Sequence, residues 1–253
     1  MRYSKDSIVI SETADKPILR TVYEAGHVTL EQLHSSLHPY ATSRAERNSL
    51  AWRVRRLIRH GFLESRRVEG MEPALSLGES GELYLQSFDG AIVERRIRSK
   101  GGNARSQVWH DVQLFTIQLA LRRAGVVLTW QSEADVRAQN RVASLRFAKE
   151  YDAVVTFRLG ELQADVALEF ERTVKSADAY LRIFSQLNEE TLLARFLYLV
   201  PDSKSQLLLR DVAPRHCPRI YAALSHEFRA QPATAGLLDL RSGQTVTLAD
   251  CLS

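Results

Sequence analysis

The apolar residues near the start of the chain repeat at the spacing of an α-helix. Pro17 begins a run whose apolar side chains stand three or four residues apart, and Gly26 comes directly after that run. Proline in the first turn and glycine just past the last turn are typical of a helix, so a first helix is predicted between them. Thr29 and Gln32 form a Thr-x-x-Gln capping box, which predicts the start of a short second helix.

A third helix and a hairpin are predicted to follow. Apolar positions continue at helical spacing over residues 43–60, and Gly61 is placed to end that helix. Residues 62–68 and 74–77 have the length and composition of two short strands, with a glycine-containing turn between them. Three helices followed by a hairpin are typical of a winged helix-turn-helix, so we predict such a DNA-binding domain over residues 1–88.

The third helix has two different faces. At 100° per residue one stripe is apolar and is predicted to face the core: Leu50, Val54, Leu57 and Ile58. The opposite side consists of Asn48, Trp52, Arg55, Arg56 and Arg59. A helix of about 18 residues spans roughly 27 Å and fits lengthwise in a major groove, where arginine can read guanine and asparagine can read adenine. We predict that this face binds duplex DNA, with Arg66 and Arg67 of the hairpin as a wing; packing against the protein is an equal alternative for Trp52.

The charge distribution supports a polyanionic partner for this half of the chain. The whole chain carries a formal net charge of +4, whereas residues 41–70 alone hold eight arginines against three glutamates. A second basic stretch falls mainly in residues 89–106, which we interpret as a basic linker between two domains. The alternatives are a solvated arginine-rich face and an acidic protein partner; salt-dependent binding to random duplex would distinguish that partner from DNA.

The second half of the chain alternates helical and strand patterns. An amphipathic helix is predicted over residues 107–124, followed by a short strand, 126–130, and a polar stretch. The remaining elements are predicted in this order: strands 152–159 and 161–171 turned at Gly160, helix 176–188, strand 195–200 and helix 218–228. This order indicates an α+β or α/β domain, a mixed sheet flanked by helices, over residues 107–253.

The second strand of this hairpin ends in acidic residues. Alternation places Leu162, Ala164, Val166, Leu168 and Phe170 on a core face, and the opposite face is acidic. Because Asp152 begins the neighbouring strand, the turn at Gly160 brings Asp152, Glu169 and Glu171 towards each other. Converging carboxylates repel one another unless a cation lies between them, and hard oxygen ligands suit Mg²⁺ or Mn²⁺. The pattern therefore predicts a divalent-metal site.

Composition excludes several other classes of protein. The 253 residues are 45% hydrophobic and 25% charged, as in an ordinary soluble protein, and no apolar run approaches the roughly 20 residues that cross a bilayer. We therefore predict a cytoplasmic protein. Cys217 and Cys251 are the only cysteines, which argues against a disulfide framework or a thiolate zinc site. The sequence contains no Walker loop, dinucleotide fingerprint or Gly-x-Ser-x-Gly elbow.

The segments YDAV (residues 151–154) and ALEFERTVK (residues 167–175) resemble the core of the PD-(D/E)XK nuclease superfamily. The resemblance implies that Asp152 and Glu169 bind the metal ion and that a nearby lysine helps to activate water. Glu171 stands at the usual position of that lysine, so either Glu171 itself or Lys175, reaching back from the next helix, is expected to take the role. Glu133 is either a further acidic metal ligand or a helix-capping residue.

With a preceding winged helix, His110 and the segment WQSE (residues 130–133), the chain resembles the replication-relaxation family of plasmid and mobile-element proteins. Two functions follow from the resemblance. The first is a metal-dependent nuclease that its winged helix targets to duplex DNA. The second is a non-catalytic DNA-binding protein of replication, mobilisation or transcription, whose nuclease-like domain serves as a homodimer contact or binds a partner protein of the mobile element.

Overall fold

A computed structural model describes residues 8–40, 43–89, 102–213 and 219–253 of the chain. The chain divides into two compact units, Met1–Phe115 and Thr116–Ser253, and each is described by itself. The division lies inside one long helix, Gly102–Arg123, whereas the predicted domains met at the linker 89–106. Residues 90–101, which hold most of the basic side chains of that linker, lie outside the described residues.

The first unit contains the predicted helices and hairpin. Its helices are α1 (Lys16–Ala25), α2 (Leu30–Leu37), α3 (Arg44–Arg59), α4 (Glu79–Asp89) and the first half of α5 (Gly102–Arg123), and its strands are β1 (Val28–Thr29), β2 (Leu63–Arg66) and β3 (Ala74–Leu77). The first three helices and the two hairpin strands are confirmed. The two-residue β1 was not predicted, because a strand of that length leaves no periodicity in a sequence.

Side-chain caps explain where two of these helices begin. The predicted capping box of α2 is confirmed: the Gln32 N–H donates to Thr29 Oγ1 at 3.2 Å and the Thr29 N–H donates to Gln32 Oε1 at 2.9 Å. At the start of α3 the Ser43 hydroxyl accepts hydrogen bonds from two backbone N–H groups of the first turn. Gly61 adopts a φ of 74°, which lets the chain leave α3 and enter β2.

A small sheet and the first half of α5 complete this unit. The strands lie in the order β1-β3-β2 and all pairs are antiparallel. Val108 and Val112 of α5 form a buried cluster with Val68 and Ala74 of the hairpin. These contacts explain why the unit continues to Phe115. The predicted linker is too long at its C-terminal end, because residues 102–106 already belong to α5.

The second unit is a mixed seven-stranded sheet with helices packed on it. Its strands are β4 (Val127–Ser132), β5 (Ala153–Leu159), β6 (Leu162–Phe170), β7 (Arg195–Val200), β8 (Arg219–Leu224), β9 (Leu237–Asp239) and β10 (Thr245–Val246), and its further helices are α6 (Glu133–Val142), α7 (Ala177–Leu187), α8 (Ser203–Val212), α9 (Ser225–Ala230) and α10 (Leu248–Leu252). The strand order is β10-β9-β8-β7-β6-β5-β4. Strands β6, β7 and β8 are parallel and the other pairs are antiparallel, so the predicted mixed sheet is confirmed.

Several elements of this unit differ from the prediction, and the short elements β9, β10 and α10 were not predicted. The helix predicted over residues 218–228 is wrong: most of that segment is β8, a strand paired on both edges and buried along most of its length. A strand buried on both faces has no polar alternation, so its apolar run could not be distinguished from a helix by period. Helices α6 and α8 were not predicted, because each buries only two residues and leaves a weak apolar stripe.

Strand β6 is buried on both faces at its C-terminal end. Residues 166–170 are all buried, although the first four residues of the strand are exposed or half-buried. The predicted division into a core face and an acidic outer face therefore fails in the second half of the strand, and Leu162 of the predicted core face is exposed. Ala167, on the same side as Glu169, belongs to a core cluster that includes Tyr151, Tyr180 and Tyr198. Glu169 and Glu171 are consequently carboxylates in a protein interior.

None of the helices within the described ranges is both long enough and apolar enough to span a bilayer.

Candidate functional site

The outer face of α3 and the adjoining hairpin carry the side chains predicted to contact DNA. Six of the seven predicted residues are exposed: Asn48, Trp52, Arg55, Arg59, Arg66 and Arg67. The last four of them make no ion pair with any residue that the structure describes. Trp52 is 55% exposed, so burial against the described part of the chain does not explain it. The first unit therefore presents four cations that a polyanion can neutralise.

Arg56 differs from these residues because it has an ion-pair partner inside the first unit. Its guanidinium pairs with Asp15 at 2.5 Å, and Arg53 contacts the other oxygen of the same carboxylate at 3.3 Å. Asp15 is fully buried at the start of α1, so the pair fixes α3 against α1. Arg56 also lies over the Trp52 ring, 5.3 Å from its centroid. Arg56 is therefore ion-paired within the first unit and lies against Trp52, unlike the four unpaired arginines, and its contact with DNA stays a prediction.

In the second unit, strand register brings together the three predicted carboxylates. Ala153 pairs with Leu168 in the β5–β6 hairpin, so one further step places Asp152 opposite Glu169. The Phe170 N–H donates to Asp152 Oδ2 at 2.7 Å, which holds that carboxylate at the end of β6. Asp152 and Glu171 both act electrostatically on Glu169. The predicted convergence of Asp152, Glu169 and Glu171 is thus observed.

Two lysines neutralise this carboxylate cluster, and only one of them was predicted. Lys175 reaches back and binds Glu171, as the sequence suggested, although its side chain is 42% exposed. Lys149 donates to Glu169 Oε1 at 2.5 Å and its side chain is only 18% exposed. The sequence contained one indication of this role: Lys149 stands three residues before Asp152, and the β5–β6 hairpin places this part of the chain next to Glu169. It was missed because Lys149 lies outside the quoted motif.

The environment of Glu169 favours its protonated form. Burial raises the pKa of Glu169 to about 7; Lys149 lowers that pKa, while the charges of Asp152 and Glu171 raise it. Buried carboxyls with a raised pKa beside other carboxylates are frequent at functional sites. Metal binding at such a group releases a proton and depends on pH.

Glu133 has an ion-pair partner in its own helix: its carboxylate binds Arg137, one turn further along α6, and Arg137 also contacts Glu150 at 3.1 Å. Ser132 pairs with Ala153, so the register places Glu133 next to Asp152, and its role as a metal ligand stays a prediction. The helix-capping alternative for Glu133 is not observed: the cap of α6 is Ser132, which forms a capping box with Asp135. Glu133 is therefore an ion-paired residue of the first turn of α6.

The donor set suits a weakly held hydrated ion better than a closed metal cage. Within the described ranges, no three His, Cys, Asp or Glu side chains are placed to hold an ion together. Mg²⁺ needs only one or two carboxylates, because it keeps several waters. A further buried polar atom, Tyr198 Oη, has no hydrogen-bond partner among the residues that the structure describes. Asp152 and Glu169, which lie opposite each other in the strand register, are the two carboxylates that such a hydrated ion would use.

Comparison with known proteins does not assign a family. No protein-family model and no curated protein match the chain. Restriction endonuclease FokI aligns at a TM-score of 0.29 and 10% identity over 86% of this chain and 42% of that chain. A structure of FokI bound to DNA aligns at a TM-score of 0.26 and 12% identity over 94% and 46% of the two chains. The chain spans less than half of the length of these endonucleases, and TM-scores of this size do not establish a shared fold.

Proposed function

We propose that this chain is a DNA-binding protein whose second unit hydrolyses phosphodiester bonds with the help of a divalent metal ion. The observation that carries the proposal is the cluster of half-buried Asp152 with buried Glu169 and Glu171, to which Lys149 and Lys175 are bound. Buried charges are costly even when they are paired, and a well-packed apolar cluster of the same volume is often as stable. A cluster that gathers five ionisable groups at one strand end is therefore better explained by chemistry than by stability.

Each member of the cluster has a separate role in this proposal. Asp152 and Glu169 are the residues that would hold Mg²⁺ or Mn²⁺. The ion supplies Lewis-acid chemistry, because it polarises a phosphoryl oxygen and lowers the pKa of water. Lys149 places a positive charge beside Glu169, where charge develops on the phosphoryl group. Glu171, held by Lys175, is the candidate base that takes a proton from the attacking water.

In the proposed reaction, water hydrolyses one phosphodiester bond of the DNA backbone. The oxygen of water forms a bond to phosphorus, and the bond from phosphorus to one bridging oxygen of the DNA backbone breaks. The proton from water passes to Glu171, and the leaving alkoxide takes up a proton from solvent. Duplex binding in this proposal depends on the first unit, interpreted as a winged helix-turn-helix, with exposed α3 in the major groove and Arg66 and Arg67 along the backbone.

A second candidate function is a non-catalytic DNA-binding protein with a degenerate nuclease-like domain. One observation favours it: Glu169 and Glu171 each have a lysine partner, and Asp152 accepts a backbone hydrogen bond, so every carboxylate is compensated without a metal ion. In that case the second unit serves for homodimerisation or for a protein partner. A place in plasmid or mobile-element replication stays a prediction from the family resemblance.

Cleavage of supercoiled plasmid with Mg²⁺ or Mn²⁺ separates the two candidates. We expect the wild-type chain to nick or linearise plasmid and Asp152→Ala to lose this activity. Asp165→Ala is the matched control, because Asp165 is exposed in the same hairpin and accepts a hydrogen bond from Thr156 outside the cluster. Wild-type protein that binds duplex but cuts no plasmid with either ion would favour the non-catalytic function.

A further inference from the structure

Tyr198 lies directly beside the candidate metal ligand Glu169. Strands β6 and β7 are parallel, and Glu169 and Tyr198 are partners in their register, so both side chains leave the same face of the sheet. Tyr198 is 1% exposed, and its ring packs edge-on against Phe184 with centroids 5.9 Å apart. The position of the hydroxyl is therefore set by the core, not by solvent.

The hydroxyl of Tyr198 differs from those of the two other tyrosines in this cluster. Tyr151 Oη donates to Glu190 Oε2 at 2.8 Å, and Tyr180 Oη accepts from the Lys175 N–H at 3.3 Å. Tyr198 Oη has no partner among the residues that the structure describes. Burial of an unpaired hydroxyl is destabilising, and phenylalanine would fill the same space without that penalty.

The surroundings of this hydroxyl indicate what it binds. Glu169 and Glu171 both act electrostatically on Tyr198, so the ring lies near these carboxylates. A phenol O–H is an ordinary hydrogen-bond donor at neutral pH. Glu169 and Glu171 each bind a lysine, and the Tyr198 hydroxyl donates to neither carboxylate. An acceptor oxygen from outside the described chain would satisfy this donor.

We infer that Tyr198 is a positioning residue of the candidate active site, whose hydroxyl donates a hydrogen bond to an oxygen of a hydrated divalent cation held by Asp152 and Glu169. The inference rests on the proposed function, because it needs the cation. It extends that function by assigning a group from a strand that no sequence motif marks. A hydroxyl in this place orients water relative to the ligands and strengthens ion binding, as outer groups around metal sites do.

Tyr198→Phe in the full chain tests this inference through metal affinity rather than activity. We expect its Mn²⁺ affinity, measured by calorimetry, to be roughly tenfold weaker than that of the wild type. In chelator the variant should melt at the same temperature as the wild type or higher, because it loses an unpaired buried hydroxyl. The ring and its packing are kept, and far-UV circular dichroism checks that the variant folds.

Tyr151→Phe is the matched control. This change removes a hydroxyl that has a partner, so it should lower the melting temperature in chelator and leave the Mn²⁺ affinity unchanged. Equal Mn²⁺ affinity of Tyr198→Phe and wild type would overturn the inference and leave the metal site intact. A lower melting temperature of Tyr198→Phe in chelator would also overturn it, because the hydroxyl would then have a partner in the metal-free protein. Wild-type protein that binds no Mn²⁺ would overturn both the inference and the proposed metal-dependent function.

Discussion

The two units carry charge in opposite ways. In the first unit most basic side chains of α3 and the hairpin are exposed, and four of the predicted arginines have no ion pair with a described residue. In the second unit the carboxylates Glu169 and Glu171 are buried, and each is bound to a lysine. Unpaired surface charge costs little and is ready to bind a partner, whereas buried charge is expensive and has to be compensated within the fold.

This difference decides how each region should be tested. An exposed arginine can be removed with little effect on stability, so loss of binding reports the contact itself. A buried carboxylate or lysine affects stability, protonation and chemistry together. Variants in the second unit therefore need a stability measurement beside every functional one.

The largest expected effect is the loss of DNA cleavage when Lys149 is replaced, compared with Lys175. Lys149→Met should reduce plasmid cleavage about a thousandfold, because its amine lies against Glu169 in a site with little solvent to replace it. Lys175→Met should reduce cleavage less than tenfold, because its side chain is more exposed and acts only through Glu171. Cleavage rates under single-turnover conditions measure both. Equal losses in the two variants, with unchanged melting temperatures, would contradict the assignment of Lys149.

The second largest expected effect is the change in the stability of the second unit with pH, which depends on Glu169. The pKa of Glu169 in the folded chain is raised from 4.5 to about 7, so the folded state holds an extra proton between these values. The contribution of this group to the free energy of unfolding is therefore present below pH 4.5 and is lost as the pH rises through 7, by about 3 kcal/mol in all. Urea unfolding of the second unit in the presence of chelator, repeated at each pH, measures this loss of stability.

Glu169→Gln is the control for this pH dependence. The amide does not titrate, so the fall in stability between acid and neutral pH should disappear from the variant. Mn²⁺ should reduce the same fall in the wild type, because the ion favours the ionised carboxylate. A wild-type pH profile that matches Glu169→Gln would show that Glu169 is ionised throughout this range.

The buried ion pair of the first unit should have a smaller effect. Asp15→Asn leaves Arg53 and Arg56 without their carboxylate and should lower the stability of the first unit by about 2 kcal/mol. The arginines are partly solvated, which limits the loss. Glu31→Gln removes an exposed ion pair with Arg47 and should change stability by less than about 0.5 kcal/mol. Equal melting temperatures for the two variants would contradict a structural role for Arg56.

The smallest effect on free energy is expected at the exposed arginines. Replacing Arg55 and Arg59 together by alanine should weaken binding to random duplex about tenfold and reduce the salt slope by about two, with unchanged stability. Replacing Arg210 and Arg229 of the second unit is the control for a general loss of charge. Unchanged affinity and slope in the folded Arg55 and Arg59 variant would remove the DNA-binding interpretation of this face.

Local signals predicted most of the fold because they act within a few residues. The capping box of Thr29 and Gln32, the end of α3 at Gly61 and strand β7 are all where the sequence predicted them. Strand β8 was predicted as a helix because its neighbours bury both of its faces and remove the alternation on which strand prediction depends.

The candidate active site divides in the same way. The sequence placed Asp152, Glu169 and Glu171 together, since a hairpin turned at Gly160 fixes their register locally. It also suggested that Lys175 reaches Glu171, four residues away. The ion pair of Glu133 with Arg137 was not predicted, because it depends on helix α6, which the sequence did not reveal.

By itself, the sequence determined the elements that depend on near neighbours: the helix caps, the β5–β6 hairpin and the basic face of α3. Only the tertiary structure decided which of those side chains have a partner within the fold. The pairing of β6 with β7 placed Tyr198 beside Glu169, and the packing of α1 turned Arg56 towards Asp15. Such contacts join residues more than 25 positions apart, and no periodicity along the chain encodes them, because they depend on how whole elements pack together.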